Sequence, residues 1–209
     1  MLPSYAVVVP VKPPALGKSR IVGLDDHQRR DLARAFALDT VAACLACEHV
    51  AEVLVATDDA AFSREFAALG CATVPDGDTS DLNAALRQAV AEARRRWPGL
   101  LPAALLADLP ALRSRELDEA LASFVPDGPS FVADTERTGT TLYTAPYDEF
   151  DPQFGLDSRH AHLVTGALEL GLELASLRRD VDDLDDLREA LALGVGAHTA
   201  RVAAELGLA

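Results

Sequence analysis

The chain opens with an unbroken apolar run over residues 5–11, closed by prolines. Lacking polar alternation, it fits a strand buried on both faces. Over 26–47 the pattern changes to helical spacing, with Leu32, Phe36, Val41 and Leu45 marking one side. The same logic predicts a strand at 50–56, a helix at 59–69, a short strand at 72–74 and a helix at 81–97. It continues with a strand at 101–107, a helix at 114–124, and two strands, 130–133 and 140–145, around a turn at 136–139. A helix over 157–169, a last strand over 175–181 and helices over 184–193 and 196–206 complete the series. No internal repeat or low-complexity linker interrupts it, so residues 1–209 read as one domain.

Alternation of this kind predicts an α/β, Rossmann-like domain: a mostly parallel, mixed central sheet with helices on both faces. Ligands of such sheets sit at the carboxyl ends of the strands. The residues just beyond those ends are Lys12, then Thr57, Asp58 and Asp59, then Asp108, then Asp180, Asp182 and Asp183. Lysines and carboxylates on one rim suit a metal-bridged polyphosphate.

Composition narrows the class. A chain of 209 residues at 49% hydrophobic can bury one substantial core and is short for two domains. A net charge of −14 disfavours nucleic acid as a partner, because phosphate-backbone binders carry clustered basic surface. No apolar run approaches the ~18–20 residues a bilayer span needs, and no basic region precedes the N-terminal apolar stretch, so a cytoplasmic protein without a membrane partner is expected. Cys44 and Cys47 form a C-x-x-C, but deep inside a helical run rather than at its start, which marks core cysteines rather than a redox pair. Oligomeric state stays open, a homo-oligomer included.

The only two lysines of the chain, Lys12 and Lys18, stand six residues apart beside the first strand, with Arg20 just beyond. Residues 12–19, KPPALGKS, lack only the first glycine of a P-loop. That glycine makes the sharp backbone reversal, and a P-loop opens directly into its helix, whereas here the helix begins near Asp26. A loop carrying point charges to a departing pyrophosphate fits better.

Six segments in order, PVKPPALGKSR, LNAAL, ADLPAL, GTTLY, FGLDSRHAH and RDVDDLDDL, resemble the phospholactate/phosphoenolpyruvate guanylyltransferases of coenzyme F420 biosynthesis, the CofC/FbiD family. The resemblance implies a nucleotidyltransferase fold of the GT-A/MobA-like type. It also implies GTP, Mg²⁺ and a phosphorylated three-carbon acceptor, phosphoenolpyruvate or 2-phospho-L-lactate. By resemblance, Asp108, Asp180 and Asp182 match the metal site, and Thr140, Gly155 and Ser158 match the acceptor site. Lys12 and Lys18 match the triphosphate loop, and Asn83 falls in the segment expected near guanine. Where relatives have glycine before LN, this chain has Asp81.

Plain physical readings stand beside these. Mg²⁺ favours one or two carboxylates plus phosphate oxygens, yet Asp108 could equally cap a turn before Pro110. Asp183 or Asp185 could cap the following helix. Ser158 could be a helix cap and Thr140 an ordinary strand residue, while His160 and His162 read as surface residues without a ligand set.

Overall fold

The computed structural model describes residues 4–11, 21, 23–77 and 81–208. Lys12, Lys18, Arg20 and the P-loop-like segment lie outside the described residues. The strands are β1 (Tyr5–Pro10), β2 (Val50–Ala56), β3 (Ala72–Val74), β4 (Leu101–Leu105), β5 (Ser130–Ala133), β6 (Thr140–Thr144) and β7 (Leu168–Glu169). The helices are α1 (Asp26–Leu45), α2 (Ala60–Ala68), α3 (Leu82–Arg96), α4 (Ser114–Ser123), α5 (Ser158–Val164), α6 (Ala175–Arg178), α7 (Leu184–Leu193) and α8 (Ala197–Glu205), with a 3₁₀ turn at Tyr147–Glu149.

The strands form one sheet in the order β3-β2-β1-β4-β6-β5-β7. β1 is central, paired in parallel with β2 and β4, which explains its continuous apolar sequence. Its odd positions Tyr5, Val7 and Val9 pack with Val41, Phe66, Leu117 and Leu121 of α1, α2 and α4. Its even positions Ala6 and Val8 pack with Leu86 and Val90 of α3 on the other face. A third cluster, including Ile21, Phe36, Leu187 and Val202, joins α1 to α7 and α8. The mixed α/β architecture with helices on both faces is thus as the alternation predicted.

β6 runs antiparallel to both β4 and β5. An inserted antiparallel strand brings its first residue, not its last, to the rim where the parallel strands end. Thr140 therefore arrives beside the carboxyl end of β4, where Leu106 N donates to the Thr141 carbonyl at 3.0 Å.

Two predicted elements need correction. The helix expected over 157–169 stops at Val164, because Gly166, at φ 86°, turns the chain out of the helix, and residues 168–169 become the edge strand β7. The strand expected over 175–181 begins instead as the short helix α6. The Glu116 side chain of α4 and the backbone just before α4 hold it: Glu116 accepts from Ser176 N at 2.8 Å, and Ser176 Oγ accepts from Arg113 N at 3.1 Å. The guanidinium of Arg178 then donates to the carbonyls of Ala133, Asp134 and Leu172, tying α6 to the end of β5.

The start of α8 is capped from a distance. Asp39 of α1, buried, accepts from His198 N at 3.1 Å and Thr199 N at 2.8 Å. Only glycine fits at 196, since a Cβ there would stand 2.3 Å from Asp39 Cγ. Gly196→Ala is expected to lower stability by roughly 2–3 kcal/mol through overpacking and loss of the cap, read as a fall in the urea midpoint.

The three cysteines are buried and unbridged. Burial pushes the Cys47 thiol up to about 12 and Cys71 up to about 11, so none is set up as a reactive thiolate.

Candidate active site

Asp108 lies three residues beyond the end of β4, and its backbone is clamped on both sides. Thr40, fully buried on α1, accepts from Leu109 N at 3.1 Å, and its hydroxyl lies 2.8 Å from the Phe36 carbonyl and 3.2 Å from that of Ala107. From the far end of the chain, Val181 N donates to the Asp108 carbonyl at 3.1 Å. That bond joins the two acidic segments directly.

The second segment has its own anchor. Arg179 is 6% exposed and bonds Glu136 at 2.9 Å, Asp186 at 3.2 Å and Glu189 at 2.7 Å. Asp186 in turn accepts from Asp182 N at 3.0 Å while completing a capping box with Asp183 at the start of α7. Asp183 and Asp186 therefore serve the helix, and Asp180 and Asp182 stay turned toward Asp108. One carboxylate oxygen from each of Asp108, Asp180 and Asp182 lies within 4.8 Å of the others. Three carboxylates this close repel one another unless a cation lies between them, and an all-oxygen donor set fits a hard divalent ion.

Asp134, Glu136 and Asp180 are similarly close. Asp134, however, accepts from Thr138 N at 2.9 Å and Gly139 N at 2.6 Å, closing the β5–β6 turn, and Glu136 is engaged by Arg179. These two carboxylates hold the frame rather than offer a second ligand set.

The triad opens onto a cavity of about 570 Å³, within the usual range for small-molecule sites. Thr140, Gly155 and Ser158 line the same cavity, as do Val11 and Phe36. Gly155 has φ 133° and Asp157 φ 55°, so the loop carrying Leu156 passes through two conformations that side chains resist. The loop is held by Asn83. Its amide donates to the Phe154 carbonyl at 2.8 Å and accepts from Phe154 N at 2.8 Å, a two-bond latch from α3.

The structure thus brings together six of the predicted residues: Asp108, Asp180, Asp182, Thr140, Gly155 and Ser158. Asn83 is engaged by the Phe154 backbone, and its neighbour Leu82 lines the cavity. Asp81 caps α3 by accepting from Asn83 N, and Asp59 caps α2, so these carboxylates have local duties. His160 is exposed, whereas His162, expected at the surface, is fully buried behind Thr140. Sequence reasoning missed Thr40, His162 and Arg179. Thr40 had a signal, being a polar residue inside the apolar stretch of α1.

Residues 5–209 match the family model described as "Guanylyl transferase CofC like". The chain belongs to this family. It is 51% identical over 208 residues to a phosphoenolpyruvate guanylyltransferase of Streptomyces coelicolor, covering 98% of both chains. A protein of the same name from Thermomonospora curvata is 49% identical, over 97% of this chain and 90% of that one. Among solved structures, a nucleotide-diphospho-sugar transferase from Desulfovibrio desulfuricans superimposes with a TM-score of 0.70 at 18% identity, covering 99% of this chain and 96% of that one. A nucleotidyl transferase from Methanothermobacter gives 0.54 at 19%, over 90% and 97%. At these identities the structural likeness speaks for the fold, which is that of the nucleotidyltransferases. Among the described residues no helix is long and apolar enough to cross a membrane.

Proposed function

We propose that this guanylyltransferase moves GMP from GTP to phosphoenolpyruvate, giving enolpyruvyl-diphospho-5′-guanosine and pyrophosphate for coenzyme F420 biosynthesis. The observation that carries the reading is the single cavity with the Asp108, Asp180 and Asp182 carboxylates at one part of its wall and Thr140, Gly155 and Ser158 at another. It suits two phosphorylated substrates held on a shared cation. The names of the relatives favour phosphoenolpyruvate over 2-phospho-L-lactate as acceptor.

In this scheme a phosphate oxygen of the acceptor attacks the α-phosphorus of GTP. A new P–O–P bond forms, the bond to the β-phosphate bridging oxygen breaks, and pyrophosphate leaves with the electron pair. The attacking oxygen is already anionic, so no strong base is needed, and catalysis rests on positioning and charge. Asp108, Asp180 and Asp182 would hold Mg²⁺, which would supply positive charge to offset that of the phosphates. Thr140, Ser158 and the backbone at Gly155 hold the acceptor. Lys12, Lys18 and Arg20 are assigned to the departing pyrophosphate, as compact or planar cations on the segment that follows β1.

The test is mass spectrometry after incubation with GTP and Mg²⁺ plus phosphoenolpyruvate, 2-phospho-L-lactate or 3-phosphoglycerate in separate arms. The expected result is a guanylylated adduct of phosphoenolpyruvate with one equivalent of pyrophosphate. Orthophosphate release, or conversion of another acceptor alone, would overturn the assignment.

A further inference from the structure

His162 is a buried ring that the chemistry above does not use. It sits on α5 directly behind Thr140, fully inaccessible to solvent. Its plane is fixed by aromatic neighbours: Tyr143 stacks at 4.7 Å and Phe131 at 5.2 Å, and Phe154 meets it edge-on at 5.7 Å. Its two nitrogens have different partners. Nε2 lies 2.9 Å from the backbone N–H of Gln153, and Nδ1 lies 3.0 Å from Thr140 Oγ1.

These contacts determine where the ring proton sits. A backbone N–H can only donate, so Nε2 must be an unprotonated acceptor, and the neutral ring then carries its hydrogen on Nδ1. Burial holds His162 at about 4, well below its ordinary value, against smaller opposing effects of the Ser158 carbonyl and Asp151, which agrees with a neutral ring. A protonated Nδ1 cannot accept from Thr140, so at this 3.0 Å contact Thr140 Oγ1 is the acceptor, sharing the ring N–H with the Ser158 carbonyl. A hydroxyl has a single hydrogen, and with its oxygen already accepting from the ring, that hydrogen must point elsewhere. Thr140 is 3% exposed and lines the cavity, and among the described residues its hydroxyl has no other partner.

We propose that His162 is a positioning residue for acceptor binding: locked in its Nδ1–H tautomer by Gln153 N, it polarises the Thr140 hydroxyl into a one-way donor aimed at an anionic oxygen of the acceptor. The proposal rests on the reading of Thr140 as part of the acceptor site. It adds the direction of the hydrogen bond and the residue that sets it. A hydroxyl free to rotate would lose part of its preference for an anion. One fixed as a donor favours a phosphate or carboxylate oxygen over a donor group such as a hydroxyl or amine.

The test compares two amides. Asparagine at 162 can place its NH₂ near the Nδ1 position and keep the donation to Thr140. Glutamine places its amide near Nε2 and leaves Thr140 without a donor. His162→Asn is expected to leave KM for phosphoenolpyruvate within about threefold of the parent, and His162→Gln to raise it about tenfold or more, the usual scale for a hydrogen bond to a charged group. KM for GTP should stay unchanged in both. Thr140→Val should raise KM for phosphoenolpyruvate alone, and adding His162→Gln to it should raise it no further. Equal effects of the two amides, or full additivity in the double variant, would overturn the role of His162. An unchanged KM for phosphoenolpyruvate in Thr140→Val would instead overturn the acceptor-site reading itself. Should the variants fold poorly, ¹⁵N imidazole shifts of the parent protein decide the matter. A protonated Nδ1 with a bare Nε2 at neutral pH supports the proposal, and the opposite tautomer or a doubly protonated ring refutes it.

Discussion

Asp108→Asn is expected to abolish GMP transfer while leaving the protein folded. The substitution keeps size and shape but removes the one charge in the triad that follows β4, the ligand whose backbone is held by Thr40 and Val181. Loss of a metal clamp worth several kcal/mol in the transition state corresponds to a fall in kcat/KM of about 10³-fold or more. Asp108, Asp180 and Asp182 lie within 4.8 Å of one another, a spacing at which one divalent cation can take an oxygen from each. Mg²⁺ should stabilise the parent by mass action and give the variant little further protection. Thermal melts with and without Mg²⁺, alongside steady-state rates, separate the two effects. Retention of either turnover or the full Mg²⁺-dependent rise would remove Asp108 from the metal site.

What could be read from sequence follows from how local each feature is. The strand over residues 5–11 and the helices flanking it were legible because burial on both faces writes an unbroken apolar run. Asp108 was legible for the same reason, as the first charge after the apolar run of β4. The convergence of Asp108 with Asp180 and Asp182 was accessible only through the family resemblance, because the strand that strand-end logic placed before Asp180 is the helix α6. Long-range partners were not legible. Nothing in the neighbourhood of Asn83 announces that its amide will be taken by Phe154, 71 positions away. Likewise His162 and a threonine 22 residues earlier meet only because β6 runs antiparallel and delivers Thr140 to the rim at its first residue. The false strand at 175–181 shares this cause: an apolar-and-arginine segment has no strong local preference, and the Glu116 and Ser176 contacts decide for α6.

Thr40→Val should damage stability and activity together, because one hydroxyl serves both. The buried Leu109 N–H would lose its acceptor, since valine fills the space but offers no oxygen. An orphaned buried donor of this kind costs about 1–3 kcal/mol, measurable as a lower urea midpoint at unchanged slope. The same loss frees the segment that carries Asp108. A displacement of a metal-bearing carboxylate by a fraction of an ångström to an ångström is expected to reduce kcat/KM by about 10- to 100-fold, with kcat bearing most of the change. Thr40→Ser retains the oxygen and should restore the rate to within a few-fold of the parent, although the lost methyl leaves a small packing deficit. The comparison separates hydrogen bonding from volume: valine keeps the volume and serine keeps the bond. If valine lowers the unfolding midpoint while the rate stays at the parent level, Asp108 is held in place without Thr40, and the backbone bond from Val181 must carry the positioning alone.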